Sequence, residues 1–400
     1  MTIVIESKVQ PHKHVHYYTM LIACIALLPN IAIESLSPAI PAMAEHYLTS
    51  IDHIQLSFSM LTAFLCLSAI FWGILSMQYG RKTSLLCGIG LAAFAYLSAN
   101  TTTTLGQLFI CQTIAGLGLG VTTLFRGLKR DLFQGIMLRK VAANSALIIT
   151  QASAGAPLVG GIILSQFGIH ALFYFLLCSC VAVWCFILYS KLPQPKDQPS
   201  LRDIIEHLRV NVSKKFLRIS LCNLLAMCGY LSWYLTLPIL IIKQLAWSPQ
   251  SYGLVFLCVT SSAQFIGAIA NSILIHHFSE HKLLYWTWSF MIICGISMFL
   301  CHQIYGIQAW WLFLHLWLYF LTSLFIWPNV MTAAFDNMTL DPGLASTLFG
   351  LLQACGAFLA TLLCANMPLS VCNDLIVILV FANGFSVGFY HLAHKIKNPE

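Results

Sequence analysis

The sequence predicts an all-α polytopic membrane protein of twelve transmembrane helices, arranged as two six-helix halves. Composition is the first reason: of 400 residues, 59% are hydrophobic and only 8% charged, against about 25% charged in an ordinary soluble domain. The second is periodicity, because apolar runs long enough to cross about 30 Å of hydrocarbon recur from end to end. The third is charge, since Lys and Arg crowd into alternate connections between those runs.

The runs fall at 17–38, 54–77, 84–100, 105–125, 142–165, 169–190, 216–241, 251–275, 283–301, 307–330, 343–365 and 370–390. With the N-terminus placed in the cytoplasm, Lys8 and Lys13 lie inside, and so do Arg81 and Lys82 after the second run. Arg126, Lys129, Arg130, Arg139 and Lys140 follow the fourth run, Lys282 the eighth, and Lys395 and Lys397 the last. The central connection adds Lys191, Lys196, Arg202, Arg209, Lys214, Lys215 and Arg218, which leaves Lys243 alone outside among 20 basic residues. Both termini are therefore expected in the cytoplasm. The net charge of +7 reads as membrane topology and not as a nucleic-acid footprint.

Residues 1–190 and 216–400 form the expected halves, joined by a linker at 191–215. That linker holds Pro193, Pro195 and Pro199, then Leu201–Val212 with apolar residues at helical spacing. It is either an amphipathic helix on the anionic leaflet or a plain solvated connection. The first run, preceded by polar residues with no small-residue cleavage site, is expected to stay as a helix. The fifteen cysteines lack C-x-x-C spacing and read as small packing residues.

Glu34, near the outer end of the first run, is read as the only acidic side chain buried within the apolar spans. A carboxyl in hydrocarbon is costly, and such groups usually exchange protons or hold a substrate or ion. Shelter from water makes a carboxyl hold its proton more tightly than in bulk. A plain hydrogen bond to a neighbouring helix is the structural alternative. His315 is read as the other titratable group at depth, a buried neutral histidine or a second proton site. Gln112, Asn144, Gln151, Asn223, Gln264, Asn271, Gln353 and Asn383, with Tyr230, Trp233, Tyr234, Trp317 and Trp327, could line a cavity or simply tie helices together. Trp233 and Tyr234 stand out because Gly229 and Pro238 suggest an interrupted seventh span.

Other chemistries lack their residues. No glycine loop followed by Lys-Ser/Thr is present to cradle ATP phosphates. No Ser-His-Asp or metal-ligand grouping stands out, so neither an enzyme, a cofactor nor a bound metal is expected. His12, His14 and His16 alternate near the terminus and make a weak metal tract, while His276, His277 and His281 read as solvated. A signalling receptor would need an output domain that no loop can hold.

After the second run the chain reads Gly73-Ile-Leu-Ser-Met77-Gln78-Tyr79-Gly80-Arg81-Lys82. This resembles the G-x-L-x-D-r-x-G-R-r/k signature of the major facilitator superfamily, with Met77 where the signature has Asp. The glycines are expected to allow close helix approach and a sharp turn. In the fifth span, Gln151-Ala-Ser-Ala-Gly155-Ala156-Pro157-Leu-Val-Gly160-Gly161 is similar to that superfamily's antiporter motif G-x-x-x-G-P-x-x-G-G, which marks exporters, with Ala at two of its glycine positions. The run Glu34-Ser-Leu-Ser-Pro38-Ala39-Ile40-Pro41-Ala42-Met43-Ala44 resembles the D-x-Y-L-P-A-L-P-x-[MI]-A run of the Bcr/CflA-type drug exporters. Arg126-Gly-Leu-Lys129-Arg130-Asp131-Leu132-Phe133 is likewise close to that family's R-a-x-x-R-D-L-F. The superfamily's span-four arginine, in R-x-x-x-G, falls on Gln112 before Gly116.

The resemblance implies two halves rocking around a midplane cavity, in a monomer of a bacterial inner membrane that exports small organic molecules against protons. Glu34 would carry the proton or the substrate charge. Gly155, Pro157, Gly160 and Gly161 would shape a seal, and Gly73, Gly80, Arg81, Lys82, Arg126, Arg130 and Asp131 a cytoplasmic gate. A dedicated metabolite or siderophore exporter, or an uptake carrier, is the alternative within the same fold.

Overall fold

The structure is a computed structural model and describes residues 15–192, 213–335, 342–367 and 370–394. His12, His14 and the amphipathic stretch 201–212 lie outside the described residues.

Among the described residues every regular element is helical, as an apolar solvent requires of a backbone that must satisfy its own hydrogen bonds. Helix α1 (Val15–Glu34) leads through a 3₁₀ turn (Ser37–Ala39) to the short α2 (Ile40–His46). Helices α3 (Ile51–Tyr79) and α4 (Arg81–Ala99) meet at Gly80, whose φ of 87° makes the turn that the signature glycine was expected to make. Helix α5 (Leu105–Leu119) starts on a capping box, with the Thr104 hydroxyl accepting from the Gln107 backbone N–H. It runs on through a 3₁₀ segment (Gly120–Leu124) into α6 (Phe125–Leu132).

Helix α7 (Gly135–Tyr189) is 55 residues long, about 80 Å if straight at 1.5 Å per residue. That is far more than one bilayer. Gly168, with φ 80° and ψ −175°, interrupts it, so α7 covers both the fifth and the sixth expected spans. Then come α8 (Lys214–Pro238), α9 (Pro249–Leu274), α10 (Glu280–Tyr305), α11 (Ala309–Phe335), α12 (Pro342–Asn366) and α13 (Val371–His394). Among the described residues eleven helical stretches, α7 counted once, are long and apolar enough to cross a membrane. Large apolar side chains such as Ile110, Phe265 and Ile293 stand exposed on them. A face of that kind suits lipid.

The seventh span departs from expectation. Gly229 sits inside an unbroken α8, and the irregularity comes after it, where Pro238 hands over to a π-helical segment, Ile239–Gln244. A proline lacks the N–H that would continue the α-helical ladder.

The chain packs as two units. The first gathers the described parts of Met1–Leu36, Met60–Ala156 and Phe167–Val210. Within it α4 lies along α5, and the Trp72 indole of α3 donates to the Leu117 carbonyl of α5 at 2.7 Å. The second gathers the described parts of Ser37–Ser59, Pro157–Gln166 and Asn211–Glu400. In it α8 packs against α11, α12 and α13, and α10 against α11 and α13.

Candidate functional site

In the first unit, Glu34 ends α1 with only 2% of its surface exposed. One helical turn earlier on the same face, the Asn30 amide donates to the Ser153 hydroxyl of α7 at 3.0 Å. Sequence reasoning missed Asn30, although its i, i+4 spacing from Glu34 was the available signal. Gln151, two residues before Ser153, is half-buried. Gln112 is packed among Tyr96, Ala99, Leu108, Cys111 and Phe173, with no room for a water molecule between them. Its two amide atoms and the Tyr96 hydroxyl have no hydrogen-bond partner there.

The two basic residues of the signature at the α3–α4 turn make four hydrogen bonds. The Arg81 guanidinium pairs with the Asp131 carboxylate of α6 through Nε, and again from Nη2 at 3.2 Å. Gly127 leaves the space this needs, since a Cβ there would collide with the guanidinium. Lys82 donates to the Leu188 carbonyl at 2.7 Å and the Ser190 carbonyl at 2.8 Å. A cation there satisfies the carbonyl end of α7. Arg126 and Lys129 both lie over the Phe125 ring, at 4.9 and 4.8 Å from its centre. Arg130 is half-buried beside them on α6. Gly73 does not fit the expected role, because a Cβ there would meet nothing within 4 Å. Met77 is 45% exposed, so no charge lock stands at that position.

In the second unit, the antiporter-motif segment sits on the start of α9 through reciprocal glycines. Gly161 lies against the Pro249 carbonyl, and Gly253 against the Pro157 carbonyl and the Leu158 backbone. Backbones approach so closely only where no Cβ intervenes. Gly160 is buried next to this contact. Gly155, in the first unit, meets nothing within 4 Å.

Aromatic rings line up between α8, α9 and α11. Tyr230 and Tyr234 share a hydroxyl hydrogen bond of 3.1 Å. The Tyr230 ring lies 5.1 Å from Phe320 and 6.3 Å, edge-on, from Trp327. Tyr230 and Trp327 are half-buried, whereas Trp233 and Tyr234 are fully enclosed. The two rings that looked most available in sequence are thus packing groups in this conformation. Asn223 and Asn383 donate to backbone carbonyls, and Asn329 donates to Asn271 at 3.1 Å. On α11, His315 is 6% exposed and bonded to both Ser297 and the Trp311 carbonyl.

Glu34 is not the only acid buried in an apolar span. Asp374, in the first turn of α13, is 4% exposed. Its place inside the run 370–390 was the sequence signal for it. A further cavity of about 590 Å³ lies among α2, the start of α3 and the π-helical segment, with Glu45, Asp52 and Lys243 on its walls. Among the described residues no group of three His, Cys, Asp or Glu could hold a metal ion.

Comparison with known proteins places this arrangement. Residues 21–390 match the sequence profile described as Major Facilitator Superfamily. The chain is 25% identical over 365 residues to Multidrug resistance protein D of Escherichia coli (strain K12), covering 89% of this chain and 90% of that one. It is 25% identical over 163 residues to the Bicyclomycin resistance protein homolog of Haemophilus influenzae (strain ATCC 51907 / DSM 11121 / KW20 / Rd), covering 40% of this chain and 41% of that one. The fold resembles a crystal structure of a D-xylose-proton symporter, with TM-score 0.74 and 15% identity over 94% of this chain and 98% of that one. The chain therefore belongs to the Major Facilitator Superfamily, a family of membrane transporters and not of enzymes, and its relatives include Bcr/CflA-type resistance proteins.

Proposed function

We propose that this chain is a secondary active transporter that exports small amphipathic organic molecules in exchange for protons. It would sit as a monomer in a bacterial inner membrane with both termini in the cytoplasm. The relatives named for multidrug and bicyclomycin resistance support the direction and the substrate class. The observation that carries the mechanism is Glu34, a carboxyl 2% exposed at the end of a membrane-spanning helix. Asn30, on the same face, is hydrogen-bonded to the segment that carries the antiporter motif.

In this mechanism Glu34 takes a proton in one conformation and yields it in the other, and substrate binds when the carboxylate is free. Residues 1–190 and 216–400 rock against each other about the linker at 191–215. Gly160, Gly161 and Pro157 seal the outer side by close contact with α9, and Gly155 leaves room beside them. On the inner side Arg81 and Asp131 hold one conformation, with Gly73, Gly80, Lys82, Arg126 and Arg130 around them. Gln151 of the first half and Tyr230 of the second supply polar and aromatic groups for the cargo, and Gln112, Trp233 and Tyr234, enclosed in this conformation, join them only in the other. Alternating access requires two states of similar energy, so these contacts must be individually weak.

Proteoliposomes with an imposed pH gradient test this directly. Wild type is expected to accumulate an amphipathic cation, a bicyclomycin-like antibiotic or a siderophore against its gradient, and Glu34→Gln to equilibrate it without accumulation. Uphill pumping by Glu34→Gln equal to wild type would show that the proton role belongs elsewhere.

A further inference from the structure

We propose that His315 and Ser297 form a second proton-binding site, in the second half of the chain and separate from Glu34. Its use in transport rests on the export reading above, but its existence does not. The argument is a count of hydrogens. His315 Nδ1 lies 2.7 Å from the Trp311 carbonyl. A carbonyl only accepts, so Nδ1 carries a hydrogen. His315 Nε2 lies 2.9 Å from the Ser297 hydroxyl, and that hydroxyl also lies 2.9 Å from the Cys294 carbonyl. A serine has one hydrogen to give.

If the Ser297 hydrogen points at Cys294, the contact to Nε2 is filled only when Nε2 carries a hydrogen, and the ring is then an imidazolium. If the Ser297 hydrogen turns to Nε2, the ring is neutral and the Cys294 carbonyl keeps only its place in the helix ladder. The same heavy-atom frame thus serves both protonation states. Taking up a proton adds a hydrogen at Nε2 and swings one O–H bond, with no side chain moved. Such pre-placed acceptors lower the reorganisation that charging a buried group demands. The carbonyl and the hydroxyl are the two acceptors that a doubly protonated ring requires.

Among the described residues of α8, α9 and α10, the helices packed on α11, fixed charges stand only at helix ends. Helix α9, packed along α11, has no charged residue between Pro249 and Leu274, and its titratable groups are Tyr252 and Cys258. On α8 the charges are Lys214, Lys215 and Arg218, in its first turns, while Cys222, Cys228, Tyr230 and Tyr234 lie further along. On α10 the titratable groups towards its end are Cys294, Cys301, His302 and Tyr305, with Glu280, His281, Lys282 and Tyr285 towards the opposite end. On α13, Asp374 stands in the first turn and acts on Cys364 of α12, and His391 and His394 lie at the far end.

The place on the helix suits proton entry. His315 is six residues into α11, about 9 Å below its start. In the proposed orientation that start faces the outside. His302, half-buried at the end of α10, and His315 both lie near the Trp311 ring, with centres 6.4 and 5.9 Å from its own.

The test is nitrogen NMR on the full chain in lipid nanodiscs, with histidine ring ¹⁵N labels, from about pH 5 to about pH 9. One ring is expected to stay protonated at Nδ1 throughout while its Nε2 gains a hydrogen as pH falls, and that signal should vanish in His315→Gln. In Ser297→Ala the ring should bind its proton about tenfold more weakly, because the cation loses more than the neutral ring does. In Glu34→Gln the titration should remain. If His315 keeps a bare Nε2 over the whole range, or titrates identically in Ser297→Ala, the site does not exist. No gradient or cargo enters the measurement, so failure of the export reading and failure of this site give different results.

Discussion

Arg81 at the start of α4 and Asp131 on α6 are joined by two hydrogen bonds, although 50 residues separate them in the chain. Met77 occupies the place of the signature's Asp, and Asp131 pairs with the arginine in this structure. The side chains are 26% and 23% exposed, and a partly screened pair of this kind stabilises by only about 1 kcal/mol. A weak latch is what a two-state transporter needs, since a strong one would trap one state.

Asp131→Asn should therefore leave the fold intact, with stability reduced by about 1 kcal/mol, and should speed the exchange between conformations. Arg81→Asp should do the same, and Arg81→Asp combined with Asp131→Arg should recover wild-type behaviour. Thermal unfolding in detergent and uptake assays on all three would check it. Failure of the double exchange to recover anything would mean that the two residues act apart.

The glycines of the antiporter motif should not be equivalent. Gly161→Ala drives a Cβ into the Pro249 carbonyl, and overpacking of this kind costs about 1–3 kcal/mol. Gly155→Ala enters open space and should be nearly silent in thermal stability. Equal effects at the two positions would contradict the contact described here.

Lys82→Met removes the charged donor from the Leu188 and Ser190 carbonyls. A cation at a helix C-terminus contributes about 0.3–1 kcal/mol, so a small loss of thermal stability is expected. Lys82→Arg, which keeps the charge and the donors, should recover most of it.

Tyr230 and Trp327 present half-buried rings to one another at 6.3 Å. A quaternary ammonium dye that binds here should lose about threefold to tenfold in affinity in Trp327→Ala, from lost cation–π attraction. Tyr230→Phe keeps the ring and should change affinity less. Fluorescence titration in nanodiscs separates the two, and unchanged binding in Trp327→Ala would move the site away from these rings.

Much of this was legible in the chain. The helices follow from apolar run length, and Gly80 makes the turn that its motif announced. Glu34 was legible as a costly buried acid. Asp374 was equally legible by position and was overlooked because it stands at the rim of its span. Asn30 needed only the i, i+4 rule from Glu34. By contrast, nothing in the order of residues says that Ser297 faces His315, or that Gly161 rests on Pro249. Trp233 and Tyr234 looked available beside Gly229 and Pro238, yet neighbouring helices enclose them.

The sequence by itself determined that this chain is a bundle of membrane helices, because hydrocarbon thickness and backbone hydrogen bonding leave so few solutions for apolar runs of this length, and its motifs carried the resemblance to the Major Facilitator Superfamily. Only the tertiary structure decided which polar groups meet. In a helix the side-chain direction repeats every 3.6 residues, but rotation and depth of one helix against another are set by packing with partners far away in the chain. That is why Arg81 found Asp131, and His315 found Ser297, only once the helices were in place.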